Sequence, residues 1–223
     1  MKRSEVNALI DDAIELLERH QVKLPPFAYW TPEEWQAKGA ECDEIRTCKL
    51  GWDITDFGSG EFDRIGLVVF TARNGHHQTV PYTKKTYAEK ILIVRENQYT
   101  PMHHHVLKAE DIICRGGGNL QIKVYNRAAS GGLAETPVDV SLDGVRQRVE
   151  AGHVFTLKPG ESITLTPFLY HTFWAQQGTG TSLCWEVSSV NDDETDNDFL
   201  EKVGRFPEIE EDVEARHWLC TEY

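Results

Sequence analysis

Apolar residues recur at helical spacing in the first twenty positions of the chain. They are Val6, Leu9, Ile10, Ala13, Ile14 and Leu17. Steps of about three to four residues place them on one face, so the pattern predicts an amphipathic helix over residues 4–20 that Ser4 can cap. In "YWTPEEW", Thr31, Pro32 and Glu34 stand in the order of a capping box, with proline at the first helical position, which predicts a second short helix. Both helices are interpreted as packing elements.

Beyond residue 61 the apolar positions come in short, often alternating runs that turn residues separate. The runs are "RIGLVVFTA", "EKILIVRE", "EDIICR", "LQIKVYN", "PVDVSL", "HVFTLKPG", "ESITLTP", "HTFWAQ" and "SLCWEVSSV". Many short strands at this spacing, without alternating helices and without an internal repeat, predict an antiparallel sandwich or barrel. We therefore predict a single all-β domain over residues 1–223. It comprises a helical N-terminal extension (1–60), the barrel (61–190) and an acidic, helical C-terminal extension packed on it (191–223).

Charge and cysteine content narrow the range of partners. The 223 residues carry a formal net charge of −13, which disfavours nucleic acid and anionic membranes and suits a neutral substrate or a bound cation. The five cysteines form no CxxC pair, so reduced thiols in a cytoplasmic protein are expected. The N-terminal segment is interrupted by acidic residues, unlike a signal peptide, and no run approaches the roughly 18 apolar residues of a membrane span.

Candidate chemistry is concentrated in "TPMHHHVLKAEDII", residues 100–113. If "PMHHH" ends a strand, His103 and His105 share one face while His104 points the other way. After a turn, a second strand would let Glu110 face the two histidines across a strand pair. Two imidazoles and a carboxylate suit Mn²⁺, Fe²⁺, Co²⁺, Ni²⁺ or Zn²⁺. The separate pair in "NGHHQ" lies in a polar loop and is interpreted as surface.

This segment resembles the first motif of the cupin superfamily, G-x5-H-x-H-x(3,4)-E-x6-G. Asn97 takes the place of the first glycine and Gly117 that of the last. Asparagine is the next-best residue at a turn with positive φ, so this departure is mild. The resemblance implies a cupin β-barrel, or jelly roll, with a metal inside.

The second cupin motif is present only in degenerate form, within "AGHVFTLKPGESITLTPFLYHTFWA". Pro167 stands four residues before His171, and Ala175 replaces the final asparagine of the motif. Its position at the start of the strand "HTFWA" makes His171 the expected fourth metal ligand. His153 in the same segment is the rival.

Two residues near the predicted metal are candidate catalytic groups. Lys108 lies two residues before Glu110 and could place an ammonium beside a developing oxyanion, or it could face solvent at the barrel mouth. Glu186 is a carboxylate within the apolar strand "SLCWEVSS". Its burial would cost free energy unless it served a proton transfer or a structural ion pair.

A longer set of strings resembles the cupin-type D-lyxose isomerases. These are "KAEDIICRGGGNLQIKVYN", "LTPFLYHTFWA", "CWEVSSVNDDETDNDF" and "VGRFPEIEED". The resemblance implies a manganese-dependent aldose–ketose isomerase for D-lyxose and D-xylulose, often also D-mannose and D-fructose. It also implies the metal ligands His103, His105, Glu110 and His171. We expect Glu186 to shuttle a proton through a cis-enediol, with a hydride shift as the competing mechanism.

Substrate contacts are expected from the C-terminal segment and from aromatic residues. The candidates for the sugar hydroxyls are Asp193, Glu194 and Arg205, and those for an apolar wall are Trp30, Tyr99, Phe168 and Trp174. The alternative functions are a metal-dependent dioxygenase, a phosphosugar isomerase and a non-catalytic sugar-binding cupin. Because cupin sheets have edges that pair between subunits, a homodimer is expected.

Overall fold

The computed structural model describes residues 1–192, 195–204 and 207–223. Its α-helices are α1 Arg3–Arg19, α2 Pro32–Gln36 and α3 Asp43–Thr47, with short 3₁₀ turns at Pro26–Tyr29, Ala40–Cys42 and Tyr82–Lys84. Its strands are β1 Gly51–Thr55, β2 Leu67–Arg73, β3 Tyr87–Val94, β4 His103–His105, β5 Glu110–Gly117, β6 Leu120–Arg127, β7 Leu133–Ala134, β8 Val138–Leu142, β9 Val145–Val149, β10 Val154–Leu157, β11 Ser162–Leu165, β12 Leu169–Ala175, β13 Ser182–Ser189 and β14 Asn197–Phe199. The predicted all-β fold with N-terminal helices is confirmed.

The strands form two antiparallel sheets that enclose the main core. One sheet has eight strands in the order β1-β2-β3-β13-β5-β11-β8-β9, and the other has the order β10-β6-β12-β4-β14, with β7 beside β6. Alternate residues of each strand point between the sheets. The buried apolar side chains there include Val69, Leu92, Ile112, Ile122, Leu165 and Phe173. This arrangement gives the barrel an interior to which both sheets contribute side chains.

Helix α1 covers the outer face of the eight-stranded sheet. Its buried residues Val6, Ile10 and Leu17 belong to a second cluster that also contains Val68 and Phe70 of β2. Because β2 is buried on both faces, its sequence "LVVF" is continuously apolar rather than alternating. The predicted helix is thus confirmed, as is the packing role assigned to it.

The predicted N-terminal cap is wrong for α1 and confirmed for α2. Lys2 is the N-cap of α1, whereas Ser4, which was expected there, donates its Oγ–H to Asp212 at 2.7 Å. Helix α2 has the predicted capping box, in which Thr31 and Glu34 bond each other's backbone N–H.

The two extensions depart from the sequence prediction. Strand β1 lies before the boundary expected at residue 61 and pairs with β2. The described part of residues 191–223 contains no α-helix, so the helical prediction for this extension is wrong. Strand β14 instead pairs with β4, whose free edge supplies backbone hydrogen-bond partners. Pairing with this edge outweighs the helical composition of the segment.

Two further features of the described residues concern the cysteines and the helices. All five cysteines lie within the described residues, are buried and form no disulfide bond. Among the residues that the structure describes, no helix has both the length and the apolar character required to cross a membrane.

Candidate active site

Three histidines meet inside the barrel, at the point where β4 pairs with β12. Strand pairing sets His103 directly opposite His171, and alternation brings His105 to the same face. One nitrogen from each ring lies within 4.8 Å of the others. His104 points away, as predicted, and its ring packs against Tyr170 on the outer face.

Backbone carbonyls orient two of these rings. The Nδ1 atom of His103 lies 2.8 Å from the carbonyl of Pro101, and that of His171 lies 2.9 Å from the carbonyl of Leu169. An Nδ1–H that donates to a carbonyl fixes the tautomer and leaves Nε2 with a lone pair. The buried Nε2 of His171 makes no hydrogen bond. The rings are therefore held in the state that a metal ligand requires.

Glu110 completes the cluster from the opposite sheet. Its Oε1 lies 3.1 Å from His171 Nε2 and 3.4 Å from His105 Nε2. The prediction that Glu110 faces the histidines across a strand pair is wrong, because β4 and β5 belong to different sheets. Glu110 reaches them across the barrel interior instead, which the local sequence spacing does not reveal.

The electrostatic surroundings favour the ligating protonation states of His103, His105 and Glu110. Burial lowers the pKa of His103 and of His105; the neighbouring imidazoles lower that of His103 further, and the Lys108 ammonium lowers that of His105 further. Burial raises the pKa of Glu110, but the adjacent Lys108 ammonium and the histidines together outweigh it, so this pKa lies well below its usual range. Three imidazoles and one carboxylate are a borderline donor set that fits a divalent transition metal. His153, the rival ligand, is exposed in a turn and lies outside the cluster.

Lys108 and Glu186 form a buried ion pair beside the histidines. Lys108 is 3% exposed, and its Nζ lies 2.6 Å from Glu110 Oε2 and 2.7 Å from Glu186 Oε1. Burial lowers the pKa of Lys108, but the two carboxylates raise it by more, so its net pKa is above the ordinary value. The solvent-facing interpretation of Lys108 is wrong. Glu186 does make the ion pair considered for it, and it also lines the cavity.

The predicted aromatic wall does not lie at this cavity. Trp174 has the opposite strand parity from His171, so it points out of the barrel and donates its Nε1–H to Gln121 at 2.8 Å. Tyr99 and Trp174 line one groove on the outside of the barrel. Phe168 is 47% exposed, and its ring lies 5.6 Å from that of His104 on the outer face.

Of the other predicted substrate residues, Trp30 alone is within the described part of the chain, and it does not line the cavity. Trp30 packs against Trp35 beside the N-terminal helices. Asp193, Glu194 and Arg205 lie outside the described residues.

A buried carboxylate that the sequence analysis did not identify supports the turn at residues 106–109, between β4 and β5. Asp196 is buried, and its oxygens accept hydrogen bonds from the backbone N–H groups of Val106 (3.1 Å), Leu107 (2.6 Å) and Lys108 (3.0 Å). Its Oδ2 also lies 4.0 Å from His105 Nδ1. Asp196 therefore fixes the turn that connects the histidine strand to Lys108. Its position in the polar run "NDDETDND" gave no signal for this role.

Replacing Asp196 by asparagine is expected to lower kcat about tenfold, with a small change in KM. An amide offers one acceptor oxygen and turns an N–H group toward donors, so part of the support for Lys108 is lost. Steady-state kinetics and Tm measure the effect. The matched control is Asp212→Asn, because Asp212 also accepts a backbone N–H, that of Ser4, but far from the cavity. Equal kinetic effects in both variants would contradict a positioning role.

Comparisons with known proteins show which proteins the chain is similar to. The model of the D-lyxose isomerase family matches residues 1–223. The chain is 50% identical to a D-lyxose/D-mannose isomerase of Serratia proteamaculans and 48% identical to one of Escherichia coli O157:H7, in each case over 100% of this chain and 98% of the relative.

Solved structures of two sugar isomerases share the fold. An L-ribose isomerase of Acinetobacter sp. DL28 with bound L-ribose has a TM-score of 0.63 and 13% identity, over 94% of this chain and 98% of that chain. The L-ribose isomerase of Cellulomonas parahominis gives 0.62 and 15%, with the same coverage. The predicted cupin fold is confirmed.

Proposed function

The chain belongs to the D-lyxose isomerase family and is an aldose–ketose isomerase, and we propose that it interconverts D-lyxose with D-xylulose and D-mannose with D-fructose. The observation that carries the proposal is the Lys108 ammonium, which is shared between Glu110 at the histidine cluster and Glu186 in the cavity. This contact joins the groups that would bind the carbonyl end of a sugar to a carboxylate that can move a proton.

A divalent metal, for which we propose Mn²⁺, would be held by His103, His105, Glu110 and His171. When bound, it would polarise the sugar's carbonyl group and so acidify the neighbouring C–H. Support comes from the buried, unbonded His171 Nε2 and from the donor set. Co²⁺, Fe²⁺, Ni²⁺ and Zn²⁺ fit the same donors.

In the proposed reaction, the residues of the cavity move two protons. The Glu186 carboxylate removes the C2 proton of the open-chain aldose, the C–H electron pair forms the C1=C2 bond, and Lys108 gives a proton to O1. The resulting species is a cis-enediol. Glu186 then returns its proton to C1 while the O2 proton goes back to Lys108, and the electrons of the O2–H bond form the C2 carbonyl.

The charges lining the cavity favour an uncharged sugar over a sugar phosphate. The described lining contains Lys90 and Lys108, balanced by Glu110 and Glu186, and among these residues there is no arginine. A phosphate would need a surplus of donors and positive charge. Within the same cavity, Leu92 and Ile112 supply apolar surface for the C–H face of a sugar.

The proposal predicts metal-restored turnover. After removal of metal by a chelator and addition of Mn²⁺, D-lyxose and D-mannose are expected to give ketose, and D-xylose and D-ribose much less. In D₂O the product should carry deuterium at the reacting carbon, because the proton on Glu186 exchanges with solvent. Mn²⁺ binding without turnover of any aldose would refute the isomerase proposal. Oxygen uptake would point to a dioxygenase, and turnover without deuterium would replace proton transfer by a hydride shift.

Two further proposals concern the oligomeric state of the enzyme and its location in the cell. We propose that it is a homodimer in the cytoplasm, since its sheets have edges that can pair between subunits and its five cysteines, all within the described residues, form no disulfide bond. Light scattering at the working concentration and fractionation of cells test these two statements. A monomeric mass or a membrane-bound fraction would contradict them.

A further inference from the structure

A second buried lysine, Lys90, lines the same cavity as the histidines and Glu186. Lys90 is on β3 with the same inward parity as Leu92 and Val94 of the core, and it is 6% exposed. Lys90 lines the cavity together with Glu186, so it is in a position to contact whatever fills that space.

Strand order gives the position of Lys90 relative to the reacting groups. In the eight-stranded sheet, β5 carries Glu110, β13 carries Glu186 and β3 carries Lys90, in that spatial order. The backbone register places Lys90 directly opposite Glu186. Neighbouring strands are about 4.8 Å apart, so Lys90 lies one strand beyond Glu186. A sugar whose C1 and C2 lie between the histidines and Glu186 would extend its remaining carbons toward Lys90.

The contact between Lys90 and Glu186 differs from that of Lys108. Lys90 Nζ lies 3.8 Å from Glu186 Oε1, beyond hydrogen-bond length, whereas Lys108 Nζ is 2.7 Å from the same oxygen. Lys108 and Ser188 already donate to this oxygen. The ion pair of Lys90 with Glu186 is therefore longer than that of Lys108, and the Lys90 ammonium lines the cavity within reach of its contents.

We propose that Lys90 is a specificity-determining residue that donates a hydrogen bond to a sugar hydroxyl beyond C2. The inference rests on the proposed function, since it concerns the orientation of the same substrate. An ammonium offers three donors and no acceptor, which suits a hydroxyl oxygen. Leu92, two residues after Lys90 on the same face of β3, lines the same cavity and would contact the C–H groups beside this hydroxyl. Lys90 would thereby fix how far along the cavity the sugar lies.

The test combines substitution of Lys90 with removal of single hydroxyls from the sugar. In wild-type enzyme loaded with Mn²⁺, kcat/KM is measured for D-lyxose and for its 3-, 4- and 5-deoxy analogues, and the series is repeated with Lys90→Met. The substitution is expected to lower kcat/KM for D-lyxose about 10- to 100-fold, as loss of a charged hydrogen bond does. For one deoxy analogue, the same substitution should cost less than about threefold, because its partner hydroxyl is already missing.

An equal loss with all four sugars would overturn the inference and reduce Lys90 to a structural neighbour of Glu186. Lys90→Gln keeps a donor and should recover part of the activity on D-lyxose only, which covers the case in which the methionine variant does not fold. The control is Lys123→Met, on the outer face of β6, which is expected to change none of the four values. No ketose from any sugar with the wild-type enzyme would refute the proposed function and, with it, this inference.

Discussion

Replacing His171 by alanine is expected to lower the affinity for Mn²⁺ more than about 100-fold and to abolish isomerase activity. Changes in residues that merely orient metal ligands cost about 10- to 100-fold, so removal of a ligand should exceed that. His171 is the buried residue whose Nε2 faces Glu110 and makes no hydrogen bond. Bound metal per chain after dialysis, together with a titration of apoprotein with Mn²⁺, measures the loss.

The same segment provides the matched control. His153→Ala removes an exposed imidazole, so its metal content and activity should equal those of the wild-type protein. The Tm of both apoproteins shows whether the fold survives. Retention of one Mn²⁺ per chain by the His171 variant, or loss of metal from the His153 variant, would contradict the assignment of ligands.

Much of the fold could be predicted because helical spacing and strand alternation depend on residues that are close together in the sequence. The helix α1 and the capping box of Thr31 followed from spacing and from side-chain chemistry within a few residues. The C-terminal extension did not, because β14 exists only through its pairing with β4, some ninety residues away in the sequence. Composition describes the preference of an isolated segment, whereas the edge of a sheet can override it.

The candidate site shows the same division between local and distant information. Alternation correctly separated His103 and His105 from His104, and a motif position selected His171 over His153. Glu110 belongs to the cluster as expected, yet it reaches the histidines from the other sheet, and no local spacing reports which strands share a sheet.

Strand parity, which tells to which face of a sheet a side chain points, would have excluded Trp174 from the cavity and identified Lys90 as a residue that lines it. If His171 points inward, Trp174 must point outward on the same strand, as it does. Likewise Lys90 shares the inward parity of Leu92 in the run "EKILIV", a signal for a buried lysine that composition does not provide. Asp196 carried no such signal, because its partners are backbone N–H groups of a distant turn.

Replacing Glu186 by glutamine is expected to lower kcat about 10²- to 10⁴-fold while leaving bound Mn²⁺ unchanged. The amide keeps the shape of the side chain but cannot accept a proton from carbon, and general-base catalysis contributes about this much. Lys108 retains its 2.6 Å contact with Glu110, so the ammonium stays paired. Steady-state kinetics with D-lyxose and the rate of deuterium incorporation from D₂O measure the change, and both should fall together.

This variant separates proton transfer from a purely structural role for the buried pair. If Glu186 served only to neutralise Lys108, the glutamine variant would lose Tm while kcat changed little, and the deuterium content of the product would stay as in wild type. A control that changes the same chemical group is Glu135→Gln, an exposed position after β7 that should match the wild-type enzyme in every measurement. An unchanged kcat with reduced metal content would assign Glu186 to the metal site instead. A large fall in kcat at full metal content is the result expected of a carboxylate base. Glu186 is in a position to act as that base because the Lys108 ammonium contacts both Glu186 and Glu110, which lies at the histidine cluster.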